Sequence, residues 1–134
     1  MTSINKNGIC FKGPLYTPPV GISRNRLLRK SLDLFANVVP IRSIPGIPSR
    51  HQDFDFVLIR ENSEGEYSGL EHSLAPGVVQ SIKVTTREAS LRIARFAFGY
   101  ARANQRTKVT AIHKANIQFV LSLLFSLNDD LMMI

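Results

Sequence analysis

The sequence contains a single cysteine, so no internal disulfide can form and the chain suits a reducing compartment. Cys10 stands between Ile9 and Phe11, which favours a buried, unreactive thiol over a nucleophile. No cysteine and histidine spacing typical of a zinc site is present. The first ten residues show neither an Arg-rich amphipathic pattern nor an apolar signal core, so no targeting peptide is visible.

Long apolar runs are also absent. The uncharged stretch at residues 119–127 is far shorter than the roughly 20 residues that a membrane-spanning helix needs, so we expect no membrane partner. With 134 residues, of which 44% are hydrophobic, the chain can bury one modest core. Nothing in the composition supports two domains.

The chain is basic, with a formal net charge of +7, and this raises nucleic acid as a partner. The excess is concentrated in residues 1–60, which hold nine Lys or Arg against three Asp, whereas the rest is nearly balanced. The aromatic and basic strand pattern that stacks bases is missing. We therefore predict no nucleic-acid partner, and a basic nucleic-acid-binding module is kept as the less favoured alternative.

Hydrophobic periodicity predicts alternating strands and helices, and hence an α/β fold with a mixed sheet flanked by helices. The second strand is almost continuously apolar, as expected in a partly parallel sheet that is buried on both faces. Thr85 and Thr86, with Glu88, predict the start of the last helix with an N-cap, and the basic stripe of that helix predicts a solvated face. The predicted elements are strands at 8–11, 54–59, 78–85 and 109–112, helices at 24–37 and 87–103, and a proline-rich connection at 40–48.

Polar groups with possible ligand-binding roles lie at the ends of these elements. Ser23, Asn25 and Arg29 open the first helix, where free backbone N–H groups and the helix dipole favour an anion. Arg60 ends a strand, at the edge where ligands collect in open α/β sheets. The alternatives are that Ser23 is only a helix cap, that Arg29 is a surface residue and that Arg60 pairs with a nearby glutamate.

Two further residues could carry chemistry. Lys114 follows a predicted strand and could act as a general base if it were desolvated near other cations. Tyr67 follows a Glu64-Gly65 turn, and its alternative interpretation is a packed aromatic with a hydrogen-bonded hydroxyl.

Four blocks of this sequence resemble, in order, the isocitrate dehydrogenase branch of the decarboxylating β-hydroxyacid dehydrogenases. The resemblance covers about residues 7–117 and is closest to the regulatory subunits of the NAD-dependent, mitochondrial, hetero-oligomeric enzymes. The blocks are Ser23-Arg-Asn-Arg-Leu-Leu-Arg29, Leu32-Asp-Leu-Phe-Ala-Asn37, Arg60-Glu-Asn-Ser-Glu-Gly-Glu-Tyr-Ser-Gly69 and Ile112-His-Lys-Ala-Asn-Ile117.

The resemblance implies a role for each candidate residue. The substrate, isocitrate or citrate, would be held by Ser23, Asn25, Arg29 and Arg60, and Tyr67 would donate a proton after decarboxylation. The remaining implied residues are Lys114, which would reach a neighbouring subunit's site, and Thr17 and Asn116, which would approach the nucleotide.

The resemblance also implies NAD and Mg²⁺ or Mn²⁺ as cofactors, other isocitrate dehydrogenase subunits as partners, and the mitochondrial matrix as location. The family's reaction is the oxidative decarboxylation of isocitrate to 2-oxoglutarate in the tricarboxylic acid cycle. The family's metal-binding aspartates have no counterpart in this sequence, so we assign no metal ligand.

Two departures from the family pattern refine the expectation. Ten residues after Arg29, where catalytic subunits carry a second substrate arginine, this sequence has Val39, as regulatory subunits do. After Ile117 the resemblance stops, so we expect a partial family domain at 1–117 and a non-family apolar tail at 118–134. The sequence thus predicts a fragment of a regulatory subunit that is inactive alone, with a catalytic subunit of the same enzyme as the alternative.

Overall fold

A computed structural model describes residues 2–17 and 23–112 of the chain. These residues form helices and antiparallel hairpins. The mixture agrees with the predicted α/β class. Lys114, Asn116, the expected boundary at Ile117 and the tail at 118–134 lie outside the described residues. The elements are α1 (Thr2–Asn7), α2 (Arg24–Ser31), β1 (Ala36–Arg42), β2 (Asp55–Glu61), β3 (Gly65–Ala75), β4 (Val78–Val84) and α3 (Arg87–Ala103).

The described strands form two separate antiparallel hairpins. In the first, β1 pairs with β2 from Ala36 opposite Glu61 to Arg42 opposite Asp55. In the second, β3 pairs with β4, and Pro76 and Gly77 connect them. Gly77 has a φ of +80°, which suits the third position of a type II turn after proline. Only the turn at residues 62–64 separates the two hairpins in the chain.

Helix α2 begins where the sequence predicts but ends six residues earlier than the predicted Asn37. Asp33 adopts a left-handed conformation with φ +47°, and the Leu34 N–H donates to the Arg29 carbonyl at 2.9 Å. This is a Schellman ending, which satisfies the last carbonyls of the helix. The motif was not foreseen because the left-handed position holds aspartate rather than glycine.

The strand predictions are partly wrong. Strand β1 was missed because it contains Pro40, yet Pro40 is tolerated in a two-stranded ribbon whose outer edge needs no donor. Strand β2 is confirmed, but it is antiparallel and alternates in exposure, so the expectation of burial on both faces was wrong. Strand β3 was not predicted. Residues 8–11 and 109–112 form no strand, because no neighbouring strand pairs with them among the described residues.

Helix α3 is confirmed at its predicted bounds, and of the two threonines at its predicted start Thr86 is the N-cap. The Thr86 hydroxyl accepts from the Ala89 N–H at 3.2 Å. The helix packs on β2 and on Phe35, whose ring meets that of Phe96 edge to face with 5.8 Å between centroids. The expectation of a wholly solvated basic stripe was wrong for Arg92, which contacts Asp33 and Phe35.

The end of α3 is tied to the beginning of β2. Arg106 follows the helix and donates to the Asp55 carboxylate at 2.8 Å. This hydrogen bond lowers the pKa of Asp55 below its usual value. The stabilisation from this exposed pair is therefore present at neutral pH and is lost only as the pH falls through the lowered pKa.

Few apolar side chains are fully buried among the described residues, although many are half-buried. The buried side chains are small: Ala89, Ser90 and Ala101. Cys10, expected to be buried, is exposed, because the segment around it does not join a sheet. No helix in the described part of the chain is long and apolar enough to cross a membrane. Large exposed side chains include Phe11, Phe56, Leu58, Leu74, Val79 and Ile112.

We predict that the 134-residue chain, expressed alone, is molten or aggregates. Folding free energies of about 5–15 kcal/mol depend mainly on buried apolar surface, and no large apolar side chain is fully buried among the described residues. Thermal unfolding followed by circular dichroism, together with binding of a hydrophobic dye, tests this. A monodisperse monomer with a cooperative transition and dispersed amide resonances would contradict the prediction.

Candidate functional site

A cavity of about 280 Å³ lies between helix α2 and the first half of strand β3. The lining comes from two short segments of chain, one in and before α2 and the other spanning the turn after β2 and the start of β3. The lining residues are Ser23, Arg26, Arg29, Lys30, Asn62, Ser63, Glu66, Tyr67, Gly69 and Glu71.

Tyr67 brings two of the predicted cations together. The guanidinium carbon of Arg29 lies 5.4 Å from the centre of the Tyr67 ring, and that of Arg60 lies 5.0 Å from the same centre. Both distances are within the range of a cation–π interaction. Two like charges at one ring repel each other, so an anion that accepts from both would be favoured there. Arg60 is not itself part of the cavity lining.

The start of α2 supplies the polar end of the cavity. Ser23 is the N-cap residue, but its side chain makes no capping hydrogen bond, and it lines the cavity. The dipole of α2 adds partial positive charge at this end. Asn25 does not line the cavity: its amide donates to the Leu15 carbonyl at 3.4 Å. The structure therefore brings Ser23 and Arg29 to the cavity and leaves Asn25 beside it.

The wall opposite α2 is a tight turn that the Glu61 carboxylate holds. This carboxylate accepts from the backbone N–H of Ser63 at 3.0 Å and of Glu64 at 2.8 Å, and from the Ser63 hydroxyl. The turn places the Asn62 side-chain oxygen 3.1 Å from a guanidinium nitrogen of Arg29, which donates to it. Arg29 is thereby oriented from two sides, by Asn62 and by the Tyr67 ring.

Arg26 fixes strand β3 against α2. Its guanidinium donates to the Ser68 carbonyl at 3.0 Å and to the Gly69 carbonyl at 3.4 Å. Gly69 has a φ of +59°, and a side chain there would overlap the Arg26 guanidinium. Glycine is favoured at this position by its positive φ, and any side chain there would also displace the Arg26 guanidinium.

Acidic groups also lie in the cavity lining. The Glu66 carboxylate oxygen Oε1 lies 3.9 Å from Nζ of Lys83 in β4, so the negative charge of Glu66 is partly balanced. Glu71 of β3 and Lys30 of α2 contribute one charge of each sign, and both residues are exposed. The lining contains three cationic side chains and two carboxylates, and Arg60 adds a further cation beside it. The arrangement suits an anionic ligand that also has groups able to donate hydrogen bonds.

Sequence reasoning missed part of this site. Asn62 and Ser63 lie inside a block that carried the resemblance but were given no role, and Arg26 lies one helical turn before Arg29. Thr17 is exposed in an irregular segment, with no hydrogen bond from its side chain among the described residues. The described residues include no group of three His, Cys, Asp or Glu side chains that could hold a metal ion.

Comparisons with known proteins agree on one family. The isocitrate/isopropylmalate dehydrogenase family model matches residues 1–132. The chain is 62% identical over 122 residues to a mitochondrial regulatory subunit of NAD isocitrate dehydrogenase from Dictyostelium discoideum, covering 88% of this chain and 34% of that protein. It is 58% identical over 119 residues to a mitochondrial regulatory subunit of the same enzyme from Arabidopsis thaliana, covering 87% of this chain and 32% of that one.

The solved structures agree with this similarity. The crystal structure of isocitrate dehydrogenase from Methylococcus capsulatus matches with a TM-score of 0.83 and 47% identity, covering 93% of this chain and 39% of that one. The predicted fold class is thereby confirmed. The chain spans about a third of the length of the curated relatives it matches.

We predict that Gly69→Ala destabilises the intact protein more than Gly77→Ala does. Both glycines lie in the β3–β4 hairpin with positive φ, so each alanine carries a left-handed penalty of about 1–2 kcal/mol. Only at Gly69 would the new side chain also displace Arg26 and break its bonds to β3, adding about 1 kcal/mol or more. Denaturant unfolding measures both losses.

The Arg26→Ala background supplies the control for this prediction. Once the guanidinium is absent, Gly69→Ala and Gly77→Ala should cost similar amounts of unfolding free energy, because only the backbone penalty remains. Equal losses in the protein that retains Arg26 would show that Arg26 does not hold β3.

Proposed function

Because this chain belongs to the isocitrate/isopropylmalate dehydrogenase family, we propose that it is part of a regulatory subunit of NAD-dependent isocitrate dehydrogenase. We further propose that its cavity binds a tricarboxylate, either isocitrate or citrate. The family's reaction is the oxidative decarboxylation of isocitrate to 2-oxoglutarate. The chain would contribute to that activity only within an assembly.

The observation that carries the proposal is the convergence of Arg29 and Arg60 on Tyr67. The two arginines come from different elements, α2 and β2, and both are uncommitted to any carboxylate among the described residues. A guanidinium fork matches a carboxylate in geometry and can bind it through two parallel hydrogen bonds. A ligand with several carboxylates could therefore bond to both arginines together.

The residues at the start of α2 favour a tricarboxylate ligand over one that has an alkyl group in place of the third carboxylate. Ser23 presents a hydroxyl that is free of the capping bond, next to the backbone N–H groups of the first helical turn. A third carboxylate would be stabilised there, whereas an alkyl group would leave the hydroxyl without a partner. Asn25 would join this contact only if its amide left the Leu15 carbonyl.

A regulatory role is supported by Val39 and by the relatives. Val39 lies in β1 opposite Leu58, where it offers an apolar side chain in place of a cation. The relatives from Dictyostelium discoideum and Arabidopsis thaliana are named regulatory subunits. We therefore propose that binding in this cavity influences partner subunits and that turnover takes place elsewhere in the assembly.

The proposal includes NAD and Mg²⁺ or Mn²⁺ as cofactors of the assembled enzyme and other isocitrate dehydrogenase subunits as partners. The relatives are named as mitochondrial proteins, which supports the mitochondrial matrix as the location. The described residues include no cluster of three metal-ligating side chains, so no residue of this chain is proposed as a metal ligand. Thr17 and Asn116 are kept as proposed nucleotide contacts, and Lys114 as a proposed contact with a neighbouring subunit.

We predict that Arg29→Ala, made in the intact protein with its natural partner subunits, weakens citrate or isocitrate binding by about 1.5–3 kcal/mol, the range expected for losing a hydrogen bond to a charged group. Arg24→Ala is the matched control, because Arg24 is exposed on the same helix and does not line the cavity. Calorimetry that finds equal affinity for the two variants would remove Arg29 from the site.

A second prediction separates the ring of Tyr67 from its hydroxyl. Tyr67→Phe should preserve citrate affinity, because the ring still supports both guanidinium groups, whereas Tyr67→Leu should weaken it about twofold to fivefold. If this chain is regulatory, Tyr67→Phe should also leave turnover by the assembled enzyme unchanged. A large fall in turnover with unchanged affinity would favour the catalytic alternative.

A further inference from the structure

Arg92 of helix α3 lies outside the cavity but contacts Asp33, which follows α2, and the turn after β2 that lines the cavity. One guanidinium nitrogen donates to the two Asp33 carboxylate oxygens at 3.0 and 3.1 Å, just after α2. The other donates to the Ser63 hydroxyl at 3.3 Å, in the turn after β2. The guanidinium carbon lies 4.3 Å from the centre of the Phe35 ring. The fork of one arginine therefore links the end of α2 to the turn that lines the cavity.

We propose that Arg92 is a positioning residue for the anion site and acts through Arg29. This inference rests on the proposed function, because it concerns the same cavity. Arg92 holds Ser63, and the adjacent Asn62 accepts from Arg29 at 3.1 Å. Movement of the turn would therefore change the orientation of the Arg29 guanidinium, although Arg92 itself does not line the cavity.

The backbone supports the same connection. The Asn62 N–H donates to the Phe35 carbonyl at 2.8 Å, so the residue on which Arg92 stacks also holds the backbone of the turn. Asp33 occupies the left-handed position that ends α2. Arg92 thus bonds to one group on each side, and a planar fork is suited to that task because it loses little freedom for each bond that it forms.

The test measures citrate affinity by calorimetry and melting temperature in the intact protein with its natural partner subunits. Arg92→Gln should weaken citrate binding about twofold to tenfold, the effect of losing one oriented hydrogen bond. Arg95→Gln is the matched control: it removes the same charge from the same helix, and Arg95 is exposed with no ion pair among the described residues. It should leave affinity unchanged.

A double-mutant cycle separates positioning from general stability. In the Arg29→Ala background, Arg92→Gln should have no further effect on citrate affinity, because the proposed path ends at Arg29. A merely structural role would lower the melting temperature and affinity alike in both backgrounds. Equal weakening in both backgrounds, or an Arg92→Gln affinity equal to that of Arg95→Gln, would overturn the inference.

Arg92→Lys keeps the test valid if Arg92→Gln does not fold. Lysine retains the positive charge opposite Asp33 and the apolar stem, but it lacks the planar fork. The lysine variant should retain the melting temperature and still lose affinity, and full retention of affinity would overturn the inference. If the unsubstituted protein binds neither citrate nor isocitrate, the proposed function itself fails. If it binds them and only the Arg92 results disagree, the positioning role alone fails.

Discussion

The turn after β2 is the point on which the described structure depends, and the Glu61 carboxylate holds it. By accepting backbone hydrogen bonds from Ser63 and Glu64, this one side chain replaces the sheet pairing that ends there. Helix α2 then reaches the turn at Asn62, and α3 reaches it at Ser63 and through the cap residue that bonds to Glu64. With so few buried apolar side chains among the described residues, these polar contacts fix how the elements meet.

The sequence predicted elements where local signals agree with one another. Helix α3 combines a Thr86 cap with a sustained apolar stripe, and both its ends were found. Prediction failed where a distant partner decides the conformation. Pro40 argues against a strand until β2 supplies the pairing, and residues 8–11 read as a strand although the described part of the chain contains no partner for them. Helix α2 ends at Asp33 through a left-handed conformation that aspartate adopts less often than glycine does, so the residue type is only a weak signal there.

For the candidate site, the sequence indicated which residues could bind a ligand but not which side chains contact one another. Arg29, Arg60 and Tyr67 could be selected because charge and aromatic character at the ends of elements suggest ligand binding, and the structure places them together. The roles of Asn62 and of Arg92 depend on side chains that meet across long stretches of sequence, and no local pattern encodes such a meeting. Asn25 illustrates the reverse case, since its position at the start of α2 suggested contact with an anion, but its amide donates to the Leu15 carbonyl.

The loop between β1 and β2, residues 43–54, can change in length without affecting the cavity. Its ends are joined by the Ser43 N–H donating to the Phe54 carbonyl at 2.9 Å, and none of its residues lines the cavity. The entropy of closing such a loop grows only with the logarithm of its length, so doubling the loop costs about 0.6 kcal/mol. Insertions and deletions can therefore accumulate between Ser43 and Phe54 while the cavity is preserved. Related chains are free to differ in length there, and the segment is a suitable place to introduce a label or tag.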